Sequence, residues 1–409
     1  MSGTGIRYAA SVADLLSIDE ALERILARTQ PLAGESVPLE EAAGRVLAER
    51  AVAAVDLPPF ASSAMDGFAL RAIDAPAILP VVERIVAGRP AARELRPGEA
   101  AAIATGAVVP DGADAVVPIE YVVDHDNKVE ILEPVAVGAN VRPRGGDVRA
   151  GDAVAEPGTR LGPAQIGALA AVGAATVVCV RRPRAALVTT GTELRRPGEP
   201  LSPGQIYEAN GPMLEAQLRS AGAEVERLPA VEDDPDAHRA ALERALEADL
   251  VVSSGGVSVG PHDLVRRVEA ELGVEEVFWR VAVKPGKPIS FGVRGPTLVF
   301  GLPGNPVSSL VGFELFVRPA VAALQGAAEP GPAFEAGRLE APLRRNASRD
   351  ELVRARRLTG AKGTELRPVS GQDSHMIVRA AGADALVLVP RGDGELAAGE
   401  TVRYLRLDS

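Results

Sequence analysis

Cysteine is almost missing from this chain: Cys179, inside ATVVCV, is the one such residue among 409. No intrachain disulfide can form, which suits a reducing compartment and makes the cytoplasm the expected location. Set among valines, Cys179 reads as a buried strand residue rather than a nucleophile. Aromatic residues make up 3% of the sequence, too few for a base-stacking platform. A net charge of −11 removes any bulk attraction to nucleic acid or an anionic membrane. An anionic ligand would therefore have to be held by a local device. No unbroken apolar stretch approaches twenty residues, so no bilayer span is expected. The start, MSGTGIRYAASVADLLSIDEALERIL, meets acidic residues too early for a secretory signal. The histidines (His125, His238, His262 and His375) are scattered and give no zinc-like spacing. Neither a G-x-S-x-G elbow nor a G-x-G-x-x-G fingerprint behind a strand occurs.

What is there falls into four blocks, within the two to four domains that 409 residues make reasonable. Residues 1–50 and 151–182 read as a discontinuous, helical connecting domain. Ser17 and Glu20, in SIDEALERILART, form a capping box ahead of apolar Ala21, Leu22, Ile25 and Leu26, a second helix is expected over 39–50, and 161–182 offers a helix and a strand. Residues 51–150 carry short β-prone runs broken by Gly, Pro and Asp, a small all-β domain. From 183 to 329, strands alternate with amphipathic helices: RAALVTT, EVERLPAV, DLVVSS and TLVFG each precede one. That alternation predicts a mainly parallel α/β sheet with helices on both faces. Residues 330–409 return to short strands, a small barrel or sandwich. The fold class is thus multidomain α/β plus β.

In an open parallel sheet, ligands bind beyond the carboxyl ends of the strands. The loops to inspect are TTGTEL (189–194), SSGGVSVGPHD (253–263), KPGKP (284–288) and GLPGNPVSS (301–309). In the second, Gly255, Gly256 and Gly260 let the backbone turn toward an oxyanion, and Ser253, Ser254 and Ser258 add hydroxyls. Pro261 and His262 stand where a Walker A loop needs Lys and Ser or Thr, so a P-loop nucleotidase is excluded. Four of the 44 basic residues are lysine (Lys128, Lys284, Lys287 and Lys362), and two of these share the KPGKP turn. A site that needs a compact ammonium rather than a planar fork would produce that choice. Glu193, Asp233 and Asp263 lie near the same strand ends. A carboxylate about 4 Å from a phosphate oxygen costs on the order of 4 kcal/mol. Such carboxylates on a polyanion therefore call for a divalent cation, and all-oxygen ligands suit Mg²⁺. In the β block, Asp66 in SSAMDGFALR, Thr105 in IATGAVVPDG and Asp147 in RPRGGDV read locally as glycine-rich turns bearing acids.

Taken together, SSAMDGFALR, IATGAVVPDGADAVV, RPRGGDV, TTGTEL, GQIYEAN, VVSSGGVSVG, VAVKPGKPISFG, GLPGNPVS and QDSHMI resemble the molybdopterin molybdenumtransferases, the family that includes the gephyrin E domain. The likeness runs from about residue 17 to the C-terminus in the family's order. It implies four domains and a homodimer whose site lies between the α/β domain of one chain and the β domain of the other. It also implies a Mg²⁺-dependent transferase that takes molybdate and adenylylated molybdopterin (molybdopterin-AMP) and releases AMP. The expected catalytic residues are Asp66, Asp147, Glu193, Asp263, Lys284 and Lys287, with Glu193, Asp233 and Asp263 as metal ligands. Substrate would be held by Thr105, Thr190, Gly191, Asn210, Ser253, Ser254, Gly255, Gly256, Ser258 and Arg280, and by Pro303, Gly304, Asn305, Pro306 and Ser308. Implied partners are a molybdopterin adenylyltransferase upstream and apo-molybdoenzymes downstream. The alternatives are an adenylyltransferase-like enzyme, against which the ~180 residues before the α/β block argue, and a non-catalytic scaffold. Arg280 stands where many members carry Lys; Ala61, Phe68 and Gly146 replace a frequent Asp, Tyr and Glu.

Overall fold

The computed structural model describes residues 15–231, 234–255, 264–361 and 363–407. Helix α1 (Ile18–Ala27) begins at the expected capping box: the Ser17 hydroxyl accepts from Glu20 N at 3.1 Å, and Glu20 answers the Ser17 N–H at 2.7 Å. Its buried face, Ile18, Ala21, Leu22 and Ile25, joins the core of the α/β region. Each of the larger side chains contributes about 1.5–3 kcal/mol by leaving water.

The helix expected over 39–50 does not form. Only a single tight turn, Leu39–Glu41, is helical. The apolar spacing that suggested a helix instead serves a bridged loop, in which Val46 pairs with Arg160 and Leu47 with Cys179. The Gly44 N–H donates to the Leu161 carbonyl, and a glycine there would have cost a helix about 1 kcal/mol. Strand Gly34–Pro38 pairs antiparallel with Thr176–Val180, which brings residues 34–50 against α2 (Pro163–Ala171).

The β region is built on a six-stranded mixed sheet that includes Gly67–Leu70, Ala77–Ile85, Ala100–Ile103 and Ala115–Pro118. Gly67 crosses so close to its neighbour that a Cβ there would lie 2.0 Å from the Val117 carbonyl oxygen.

The α/β sheet runs Glu224–Arg227, Arg184–Thr189, Leu250–Ser254, Thr297–Leu302, Ser290–Arg294, Glu275–Trp279. The first four strands are parallel and the last two pair antiparallel, so the sheet is parallel only in its larger part. Alternate residues face opposite layers. Ala185, Leu187, Leu250 and Val252 meet α1, α3 (Asn210–Ser220) and the helical run Pro306–Leu324. Ala186, Val188 and Val251 meet the layer of α4 (Pro235–Ala245) and α5 (Leu264–Glu271). The Pro306–Leu324 run consists of α6 (Pro306–Gly312), one wider turn and α7 (Arg318–Leu324). It is 19 residues long with a mean hydropathy of 1.5, enough by length and composition to cross a membrane, but 78% of it is buried inside this protein. Core packing explains its apolarity.

Five strands of the C-terminal region close into a barrel: Asp350–Gly360 pairs with both Gly363–Pro368 and Ala385–Val389. Thr401–Arg406 and Glu335–Leu339 complete the circuit. Leu339, Val353, Leu366, Val387 and Tyr404 fill it.

Candidate active site

At the carboxyl ends of the parallel strands lies a cavity of about 650 Å³. Most of its wall comes from four places. Strand Arg184–Thr189 and its loop give Thr189, Thr190, Gly191 and Glu193; the approach to α3 gives Tyr207, Glu208 and Asn210; strand Leu250–Ser254 gives Ser254 and Gly255; and the turn into α6 gives Pro303, Gly304, Asn305 and Pro306. The first residues of two helices, α3 and the Pro306–Leu324 run, therefore line it. Helix N-termini present free N–H groups and a partial positive charge, which favours an anion.

Asn210 ties these pieces together. Its Nδ2 donates to Ser254 Oγ at 2.8 Å and to the Gly304 carbonyl at 2.8 Å. Two acceptors fix the amide's orientation and turn Oδ1 away, where it is buried without a hydrogen-bond partner among the described residues. Ser254 also reaches Ser309 Oγ at 3.4 Å, and Ser309 in turn donates to the Pro303 carbonyl. Glu208 accepts from Gly211 N at 2.5 Å, serving the start of α3. Gly255 has φ +95, and a side chain there would meet the Thr190 carbonyl at 2.7 Å, so only glycine lets these two loops touch.

Residues 16–173 match the MoeA N-terminal region (domain I and II), 186–323 a probable molybdopterin binding domain, and 336–407 the MoeA C-terminal region (domain IV). A molybdopterin molybdenumtransferase 2 from Mycobacterium tuberculosis is 39% identical over 379 residues, 89% of this chain and 93% of that protein. A molybdopterin molybdenumtransferase from Staphylococcus aureus is 32% identical over 402 residues, 96% of each. Among solved structures, a molybdopterin biosynthesis MoeA protein from Pyrococcus horikoshii aligns with a TM-score of 0.83 at 30% identity, covering 96% of this chain and 100% of that one. The chain belongs to the molybdopterin molybdenumtransferase family.

In this transferase the cavity gathers most of the strand-end residues singled out by sequence: Thr190, Gly191, Glu193, Asn210, Ser254, Gly255, Pro303, Gly304, Asn305 and Pro306. Ser253 and Ser308 are buried in the fold, and the Ser253 hydroxyl donates to the Phe300 carbonyl at 3.2 Å. Gly256, Ser258, Asp233 and Asp263 lie outside the described residues. KPGKP does not lead from a strand into a helix. It joins the antiparallel strands Glu275–Trp279 and Ser290–Arg294 at the same end of the sheet, because Trp279 pairs with Ser290 and Ser290 with Gly301. Pro288 reaches the cavity wall. Val283–Lys284 instead adds to the barrel strand Asp350–Gly360, and Lys284 Nζ sits 3.0 Å from Glu351 Oε1. Lys287 is half-buried in the same turn.

Asp66, Thr105 and Asp147 lie elsewhere, in the β region. Asp66 Oδ1 accepts from Thr105 N at 2.7 Å and Thr105 Oγ1 at 3.1 Å, and Asp66 remains exposed. Asp147, also exposed, rides on a turn fixed by Asp56. That carboxylate accepts from Ala150 N at 2.9 Å and Arg144 Nε at 2.6 Å. The Ala150 N–H first, and then Arg144, hold the Asp56 carboxyl below the usual aspartate range.

Sequence reasoning missed three wall residues: Tyr207, Glu208 and His375. Tyr207 and Glu208 stand in GQIYEAN, a stretch in which Asn210 alone is assigned a role from sequence. His375 comes from the barrel region, delivered where Val307 N donates to the Ser374 carbonyl at 3.1 Å.

Proposed function

We propose that this enzyme inserts molybdenum from molybdate into adenylylated molybdopterin, cleaving the phosphoanhydride with water and releasing AMP. The observation that carries this reading is the strand-end cavity, lined by two helix starts, Asn210 and Ser254, at the heart of the segment that matches a molybdopterin binding domain. Thr190, Gly191, Gly255, Gly304 and Asn305 supply hydroxyl, amide and backbone donors for phosphate oxygens. Lys284 and Lys287 would balance the charge of molybdate, with Glu351 keeping the Lys284 ammonium in place. Arg280, Ser258 and Gly256 complete the proposed contacts.

The wall also suits Mg²⁺. Glu193 is exposed at the cavity and offers hard oxygen donors, and Mg²⁺ ordinarily takes one or two carboxylates alongside phosphate and water. Among the described residues no group of three His, Cys, Asp or Glu side chains forms a metal cage. Glu193 would hold the cation with Asp233 and Asp263, and bound there it would neutralise charge at the scissile phosphoanhydride.

The unit of function in this reading is a homodimer. Asp66, Thr105 and Asp147, exposed in the β region, would close the cavity of the partner chain and orient the attacking water there. An adenylyltransferase upstream and apo-molybdoenzymes downstream are the expected partners, and the cytoplasm the expected place. The fully buried Cys179, whose thiol burial pushes up, accords with a reducing environment. The test is incubation of the purified enzyme with adenylylated molybdopterin, Mg²⁺ and molybdate, with AMP measured. Molybdate-dependent release that stops on chelation of Mg²⁺ is expected. No release, or release indifferent to molybdate, would overturn the reading.

A further inference from the structure

The chain has one tryptophan, Trp279, and it closes the strand that leads into Arg280 and KPGKP. Arginines stack on it twice: Arg280 Cζ lies 3.6 Å from the ring centroid and Arg266 Cζ 4.1 Å. Two guanidinium groups that close to one centroid must occupy opposite faces of the indole. Their charges are handled differently. Arg266 Nε and Nη2 reach Glu276 Oε2 at 2.8 and 2.5 Å. Arg280 has no carboxylate partner among the described residues. Its backbone is also held in an unfavourable state. Arg280 has φ +84; the other described non-glycine residues at positive φ are Asp126 and Asn140, types that tolerate it. Such a conformation is strained for arginine and persists where its surroundings impose it. Here the Arg280 N–H donates to the Ile289 carbonyl at 2.8 Å, and the ring covers one face of the guanidinium. Arg280 is half-buried at the end of the sheet where the cavity lies, and its guanidinium edge carries a fork of N–H donors.

We propose that Trp279 is a positioning residue: it fixes the Arg280 guanidinium so that the fork meets a substrate oxyanion beside KPGKP. A planar guanidinium lies flat on an indole face and keeps its donors in one plane, as a compact ammonium cannot. The stack is therefore what suits arginine to this position. The Trp279 Nε1 has no acceptor among the described residues, so the ring serves through its faces. Phenylalanine should then substitute, whereas an aliphatic residue should not. This proposal rests on the molybdate-binding reading above.

The single tryptophan makes the test direct. Indole emission is followed while molybdate is titrated in the presence of Mg²⁺ and AMP. A saturable change is expected in the wild type and its loss in Arg280→Ala, which keeps the ring. In parallel, Trp279→Leu should lower kcat/KM for molybdate about tenfold, mainly through KM, and Trp279→Phe should stay within about twofold. Thermal melts check each variant's fold, and the Arg280→Ala titration still decides the matter if Trp279→Leu proves unstable. Silent emission in a wild type that releases AMP in response to molybdate, or an unimpaired Trp279→Leu, would overturn the role of Trp279 alone. Absence of molybdate-dependent AMP release would remove the proposed function. A saturable emission change lost in Arg280→Ala would still support the Trp279–Arg280 oxyanion contact.

Discussion

The strand-end cavity and the acidic turns of the β region are built on opposite plans. In the cavity, the polar groups at the junction of the loops are tied to more than one element. Asn210 joins α3 to Ser254 and Gly304, and Ser254 joins its strand to the turn into α6. In the β region, the Asp66 side chain is bound among the described residues only to Thr105 across its own sheet and faces water, as Asp147 does. The cavity is thus preorganised, and its polar groups also hold the fold together. The acids, exposed in the β region, do not line that cavity within their own chain. Activity and stability should therefore be coupled in the first and separable in the second.

Asp66→Ala offers the largest contrast. Loss of a charged group from the reacting zone should cut molybdate-dependent AMP release by about a hundredfold or more. The melting temperature should barely move, since the side chain is exposed. A collapsed melting curve would show the two regions to be alike after all. One residue further on, Gly67→Ala should do the reverse. A Cβ 2.0 Å from the Val117 carbonyl has nowhere to go, so the β sheet should lose about 3 kcal/mol or more in denaturant unfolding. Asn210→Ala should strike both properties together, lowering stability by about 2 kcal/mol and activity with it. Retained stability there would break the coupling.

The smallest effect is expected at Asp249, far from the cavity where the sheet's strands begin. Burial pushes its carboxyl up, but the paired bonds from Arg181 at 2.7 Å and the Arg184 N–H at 2.8 Å outweigh it and hold the group below the usual aspartate range. A lowered folded value means the stabilisation is complete above the unfolded value, near pH 3.9, and is lost as pH falls through the folded one. Asp249→Asn should therefore cost about 1–2 kcal/mol at neutral pH, allowing for the exposure of Arg181. The gap from wild type should close in acid unfolding curves below about pH 4, with AMP release at neutral pH unaffected.

Short-range signals in the sequence were the readable ones. Ser17 and Glu20 capped α1 because a capping box is complete within four residues. The strand–helix alternation located the cavity because a parallel sheet dictates where its loops gather. Longer-range relations stayed hidden. Over 39–50 the apolar spacing fits a helix, and only the partners Arg160 and Cys179, more than a hundred residues away, turn it into a bridged loop. KPGKP was legible as a strand-end loop, but neither the antiparallel strand that follows it nor the Glu351 partner of Lys284 has a local signature. His375 reached the wall through a contact between α6 and the barrel region that no periodicity encodes.

The most direct test of a site shared between two chains uses two disabled ones. Asp66→Ala and Lys284→Ala, each inactive alone, are co-expressed in equal amounts and the mixed dimers are assayed for molybdate-dependent AMP release. If the cavity of one protomer works against the acids of its mate, each mixed dimer rebuilds one intact site, and the population recovers about a quarter of wild-type activity. If both residues serve the same chain, mixing restores nothing, and the account is contradicted.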